Sequence, residues 1–132
     1  MRDELDKQLC EKFPKIFAKR NGATAMLWGF ECGDGWHPII FSLCSNIQTY
    51  LDWVNRKETV VQQVVVDQVK EKFGGLRFYY TGGDERIMGL VTMAESWAAR
   101  TCEVCGAPGR LRGKGWLYTA CDTHTKPEHL VP

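Results

Sequence analysis

The segment CEVCGAPGRLRGKGWLYTACDTH, residues 102–124, constrains what this chain can fold into more than any other stretch. Its spacing is C-x2-C-x15-C-x2-H, so two short loops each present a pair of soft ligands: Cys102 with Cys105, and Cys121 with His124. The fifteen-residue insert is about the length of a hairpin that would bring the two pairs together tetrahedrally around zinc. Gly106 suits the tight knuckle after the second cysteine, and Trp116 and Tyr118 alternate as strand residues do. Four protein ligands leave no position for an activated water, so the expected role of the zinc is structural. His129, five residues beyond His124, is the rival for the fourth position, and the shorter C-x2-H spacing favours His124. The insert also holds Arg110, Arg112 and Lys114 with no acid among them, which fits either a solvated ribbon tip or a phosphate contact.

The other three cysteines, Cys10, Cys32 and Cys44, are scattered. In a reducing compartment such a layout reads as small buried hydrophobes rather than a disulfide framework. No run of about 18 apolar residues is present, and the N-terminal MRDELDKQLCEKF lacks the apolar stretch of a signal peptide, so a cytoplasmic protein that does not enter membranes is expected. The 132 residues, 44% apolar and 25% charged, suit one domain with a single core. Charge is balanced, with 8 cations and 8 acids in residues 1–66 and 9 and 8 in residues 67–132. Any anion site must therefore be local.

Apolar residues recur at a helical period from Leu5 to Phe17, with Pro14 forcing a kink or a fresh start. Pro38 suits the first turn of a second helix whose stripe runs Ile39, Leu43, Ile47, Tyr50, Leu51 and Val54. Asp84 is the expected N-cap of a third, carrying Ile87, Leu90, Val91, Ala94, Trp97 and Ala98. Residues 59–73 are valine-rich and predict one long strand, while ATAMLWGF is either a strand or a buried loop. The fold class expected is α+β: two or three helices on a small antiparallel sheet, with a core over 1–99 that contains the hairpin 59–81. A zinc ribbon over 100–132 packs on the same domain.

Within VKEKFGGLRFYY, a two-residue turn at Gly74-Gly75 pairs Phe73 with Leu76, Lys72 with Arg77, Glu71 with Phe78, Lys70 with Tyr79 and Val69 with Tyr80. One side then carries Val69, Phe73, Leu76, Phe78 and Tyr80, with Glu71 as the exception. The other carries Lys70, Lys72, Arg77 and Tyr79. Like charges across a ladder destabilise it. The cations either form a solvated face, paired with acids such as Asp67 or Glu85, or await an anion. Arg offers a fork for phosphate, Lys a point charge and Tyr a ring for a base.

In GDGWHP, the start of the second helix would aim free backbone N–H groups at the glycine loop, where anions are favoured. Trp36 is a candidate aromatic platform there and His37 a titratable donor, although packing is the commoner fate of both. A Cys32–His37 nucleophilic dyad lacks a supporting motif. Trp28, Phe30, Phe41, Trp53 and Trp97 read as core.

With VKEKFGGLRFYY, CEVCG, GW and CDTH in hand, the chain resembles a group of small zinc-ribbon-bearing proteins encoded by bacteriophages and prophages. The resemblance spans roughly residues 36–124 and implies a viral accessory protein in the host bacterial cytoplasm, with no catalytic residue attached. The function expected is capture of a phosphate-bearing ligand, a nucleotide or nucleic acid, by Lys70, Lys72, Arg77 and Tyr79, helped by Trp36. Sequestration of a host defence nucleotide is an extension of it, and a homo-oligomer would complete a pocket on an otherwise flat face. Two other readings stand beside it: inhibition of an acidic host protein, and hydrolysis of nucleotides or nucleic acid. No convincing base or open metal site supports the last.

Overall fold

The structure, a computed structural model, describes residues 1–22 and 24–130. Helix α1, Asp3–Lys12, ends where Pro14 withholds its N–H, and the chain continues as turns that bury Phe13, Ile16 and Phe17. Helix α2, His37–Val54, starts with Pro38 in its first turn and buries Ile39, Ile40, Leu43, Cys44, Ile47 and Leu51. Helix α3, Glu85–Ala98, is capped by Asp84, whose carboxylate accepts from Ile87 N–H at 3.1 Å and from the Tyr50 hydroxyl. Three helices and small, mainly antiparallel sheets make the α+β class.

The main sheet has the order β1-β2-β3, with β1 Phe30–Glu31, β2 Val65–Lys72 and β3 Gly75–Thr81. Strands β2 and β3 form the hairpin. The sheet is not wholly antiparallel, because β1 pairs with β2 in parallel, Phe30 beside Val69 and Glu31 beside Lys70. Among the described residues of ATAMLWGF, only Phe30 enters a strand; Ala25–Trp28 is a single 3-10 turn capped by Thr24. The strand expected from residue 59 begins at Val65. Asn55 explains the delay: its side-chain oxygen accepts from the N–H groups of Val60 and Val61, and its amide donates to Val61 O, so this segment is held as a loop closing α2. A valine run has high strand propensity, but backbone groups already satisfied locally have no need of a ladder.

The hairpin turns one residue earlier than the sequence suggests. Lys72 pairs with Gly75, Glu71 with Leu76, Lys70 with Arg77, Val69 with Phe78 and Gln68 with Tyr79, leaving Phe73-Gly74 as the turn. Both turn residues have positive φ, 54° and 82°, as a type I′ turn requires. Glu71, the odd acid on the apolar side, accepts the Gly74 N–H at 2.7 Å and so closes the turn. Phe73 is not on the apolar side; it stands exposed at the tip. Packing of the C-terminal module decides the register. A Cβ on Gly74 would lie 2.5 Å from Leu111 Cδ1, and Thr119 Oγ1 donates to Gly74 O at 2.6 Å.

The C-terminal module is a two-stranded antiparallel ribbon, β4 Arg110–Arg112 and β5 Tyr118–Ala120. Trp116 lies in its tip rather than in a strand and is 78% exposed. Three residues expected in the core are likewise exposed: Trp28, Trp53 and Trp97. Phe30 is buried and Phe41 packs edge-on to Phe13. Among the described residues no helix is long and apolar enough to cross a membrane.

Candidate metal centre and basic hairpin face

Cys102 follows the last turn of α3, and its backbone closes the first knuckle: Cys102 N–H donates to Ala107 O at 2.7 Å and Gly106 N–H to Cys102 O at 2.9 Å. Gly106 holds φ at +82°, the conformation for which glycine was expected there. The second pair lies just past β5, with His124 ending a one-turn 3-10 helix. One ligand atom from each of Cys102, Cys105, Cys121 and His124 falls within 4.8 Å of all the others, so the four can hold a metal ion. His129 is elsewhere, its Nδ1 2.6 Å from the Tyr118 hydroxyl.

The electrostatics favour the thiolate form at Cys102 and Cys121. Burial by itself would raise the Cys102 thiol, but the N–H groups of Cys121, Cys105 and Val104 aimed at it outweigh that and bring it down to about 6. His124 is shifted up by its hydrogen bonds to the Cys121 and Cys102 sulfurs. Arg112, buried, braces the second pair from behind: its Nε donates to Ala120 O at 3.2 Å and its Nη2 to Asp122 at 2.7 Å, between Cys121 and His124. Of the three insert cations, then, Arg112 is internal and only Arg110 and Lys114 are exposed.

The glycine loop before α2 is a cradle for the first knuckle. Gly33 N–H donates to the Glu103 carboxylate at 2.8 Å, and Gly35 N–H to Glu103 O at 2.7 Å. Neither glycine has a positive φ; each is needed because the knuckle's backbone lies where a Cβ would be. Trp36, a candidate ligand platform from sequence, is fully buried, and its indole donates to Thr101 O at 2.9 Å. The correction has a plain cause: that N–H finds its partner 65 residues away, next to Cys102, so the ring fills the junction between helix and knuckle. Replacing Trp36 by Phe should keep metal binding but cost about 2 kcal/mol in urea unfolding, through an unpaired buried carbonyl and a smaller ring.

His37 is half-buried at the start of α2. Its Nε2 is buried without a hydrogen-bond partner, and burial lowers its pKa. Cys32 is held as a thiol, raised to about 12 by burial and then by the Glu103 carboxylate, which removes the dyad chemistry. Cys44 is fully buried and Cys10 half-buried against the core, and all six cysteines are free of disulfides.

Lys70, Lys72, Arg77 and Tyr79 do share one side of the hairpin. Moving the turn by one residue moves each pairing by two, and alternation then returns these four side chains to their expected face. Lys72 and Tyr79 are exposed, Lys70 and Arg77 half-exposed. Asp67, a possible partner, is taken by Lys19 at 2.6 Å. Among the described residues no carboxylate comes within 4 Å of the Lys70, Lys72 or Arg77 nitrogens; Glu31, beside Lys70 in register, bonds Gln68 instead. Sequence reasoning found the ligand set and this face, but missed the pairing of GDGW with the first knuckle. Two glycines unexplained by any turn were the available signal. No protein-family model, curated protein or solved structure matches the chain.

Proposed function

We propose that this chain is a zinc-stabilised binding protein that captures a phosphate-bearing ligand, a nucleotide or nucleic acid, on the hairpin face of Lys70, Lys72, Arg77 and Tyr79. One observation carries it: three cations converge on one reachable side of the β2–β3 hairpin and, among the described residues, have no carboxylate in ion-pair contact. Repulsion across the Lys70–Arg77 pair is relieved by an anion lying over both. Zinc is supported by the donor set and by size. A tetrahedral site with zinc–sulfur and zinc–nitrogen bonds of ordinary length has edges of about 3.8 Å between sulfurs and about 3.6 Å between sulfur and nitrogen. Cys105 and Cys121 are 3.8 Å apart, and His124 Nδ1 lies 3.7 and 3.3 Å from Cys102 and Cys121. The resemblance to phage and prophage proteins supports action in a bacterial cytoplasm, including sequestration of a defence nucleotide.

Calorimetric titration with a nucleotide panel and short oligonucleotides at low salt tests the reading. Saturable binding is expected, with Arg77→Ala weakening it by about ten- to a hundredfold, the scale of one lost charge-assisted hydrogen bond. No binding, or binding unchanged in Arg77→Ala, would overturn it; recovery of one acidic protein partner by the same face, without nucleotide affinity, would replace it.

A further inference from the structure

Phe73 occupies a backbone conformation that residues with a Cβ rarely adopt, φ 54°, at the first central position of the type I′ turn, where Asn or Gly fits better. Its ring gains little burial in return, being 68% exposed with the Lys72 ammonium 5.6 Å from its centroid. Across a cleft of about 180 Å³ stands Trp116, 78% exposed at the tip of the zinc ribbon; Glu71, Gly115 and Leu117 complete the lining. The two tips are fixed to each other, because Thr119 bonds Gly74 O and Leu111 covers Gly74. The one acid in the lining, Glu71, already accepts the Gly74 N–H.

Two unburied aromatic rings line one cleft with Glu71, and Lys72, 5.6 Å from the Phe73 centroid and on the opposite side of the hairpin from Glu71, leads along the strand to Lys70 and its cross-strand partner Arg77, so stacking surfaces stand at the end of a cationic track. We propose that the cleft receives an unpaired base of a single-stranded nucleic acid, stacked by Phe73 and Trp116, while the adjoining phosphates run over Lys72, Lys70 and Arg77. This deepens the proposed function and rests on it. The neighbouring cations favour a polyanion over an apolar protein segment, and a paired base, stacked within its duplex, has no free face to offer.

The test is fluorescence anisotropy of a labelled oligothymidylate with the intact, metal-loaded protein. Phe73→Asn creates Asn-Gly, the preferred type I′ pair, so its thermal midpoint should hold or rise by a few degrees while affinity falls about tenfold. Trp116→Ala, at an exposed tip, should lose a similar factor. Both variants should keep the wild-type salt slope, whereas Arg77→Ala lowers it by about one phosphate's worth. Wild-type affinity in both aromatic variants, with a loss in Arg77→Ala, would overturn the stacking cleft and leave the hairpin reading standing. Equal affinity for a duplex of the same length would also overturn it. No binding of any oligonucleotide or nucleotide would remove both.

Discussion

Chelation at neutral pH is expected to unfold the C-terminal ribbon and lower the thermal midpoint of the whole chain by roughly 10–20 °C, as measured by calorimetry alongside elemental analysis showing one zinc per chain. Without an ion the ribbon is not expected to stand. Its strands have three residues each, and among the described residues the buried groups beyond residue 100 are Thr101, Cys102, Arg112, Thr119, Ala120 and Thr125, none a large apolar side chain. So little apolar area cannot offset the entropy of ordering some thirty residues. The damage should spread, because the buried Trp36 loses its Thr101 acceptor and Gly33 and Gly35 lose Glu103 once the knuckle opens. Cys102→Ser and Cys121→Ser should reproduce the effect without chelator, whereas Cys10→Ser, outside the cluster and only half-buried, should retain full metal content. A midpoint indifferent to both chelator and these substitutions would show that the fold does not depend on a metal held by these four side chains.

Gly35→Ala should destabilise the protein by about 3–5 kcal/mol, a loss on the scale of major core disruption. A Cβ at this position would lie 2.1 Å from Cys102 O, 2.6 Å from Gly106 N and 2.7 Å from Glu103 C. All three are backbone atoms of the first knuckle, so no side chain can swing aside; either the cradle parts from the knuckle or the ligand pair shifts. The contrasting control is Gly89→Ala in α3, where a Cβ meets nothing within 4 Å and helix propensity should add roughly 1 kcal/mol. Urea unfolding of the two variants, read with zinc stoichiometry, checks the pair. A Gly35→Ala protein within about 1 kcal/mol of wild type, metal bound, would mean that the GDGW loop does not clamp the metal centre.

Where spacing along the chain is enough, the sequence already contains the answer. The four candidate metal ligands come in two pairs, each within one turn of backbone, and such loops have few ways to present their donors. The caps at Pro38 and Asp84 are likewise local, since the groups they satisfy lie within a few residues. The cationic hairpin face survived an error in the turn because strand alternation has a period of two and the error moved each pairing by two.

Only the tertiary structure chose Phe73-Gly74 as that turn, because the deciding contacts come from Leu111 and Thr119 in the C-terminal ribbon. The same limit governed the tryptophans. Trp36 sits in a polar loop yet is the fully buried one, while Trp28, Trp53 and Trp97 lie in or beside apolar stretches and reach solvent. Local sequence determined which side chains share a loop, a cap or a strand face, since bonded geometry fixes those over a few residues. Which of them are covered was decided by partners 40 to 70 residues away, as the Gly33–Glu103, Trp36–Thr101 and Gly74–Thr119 bonds show, and only packing brings such groups together.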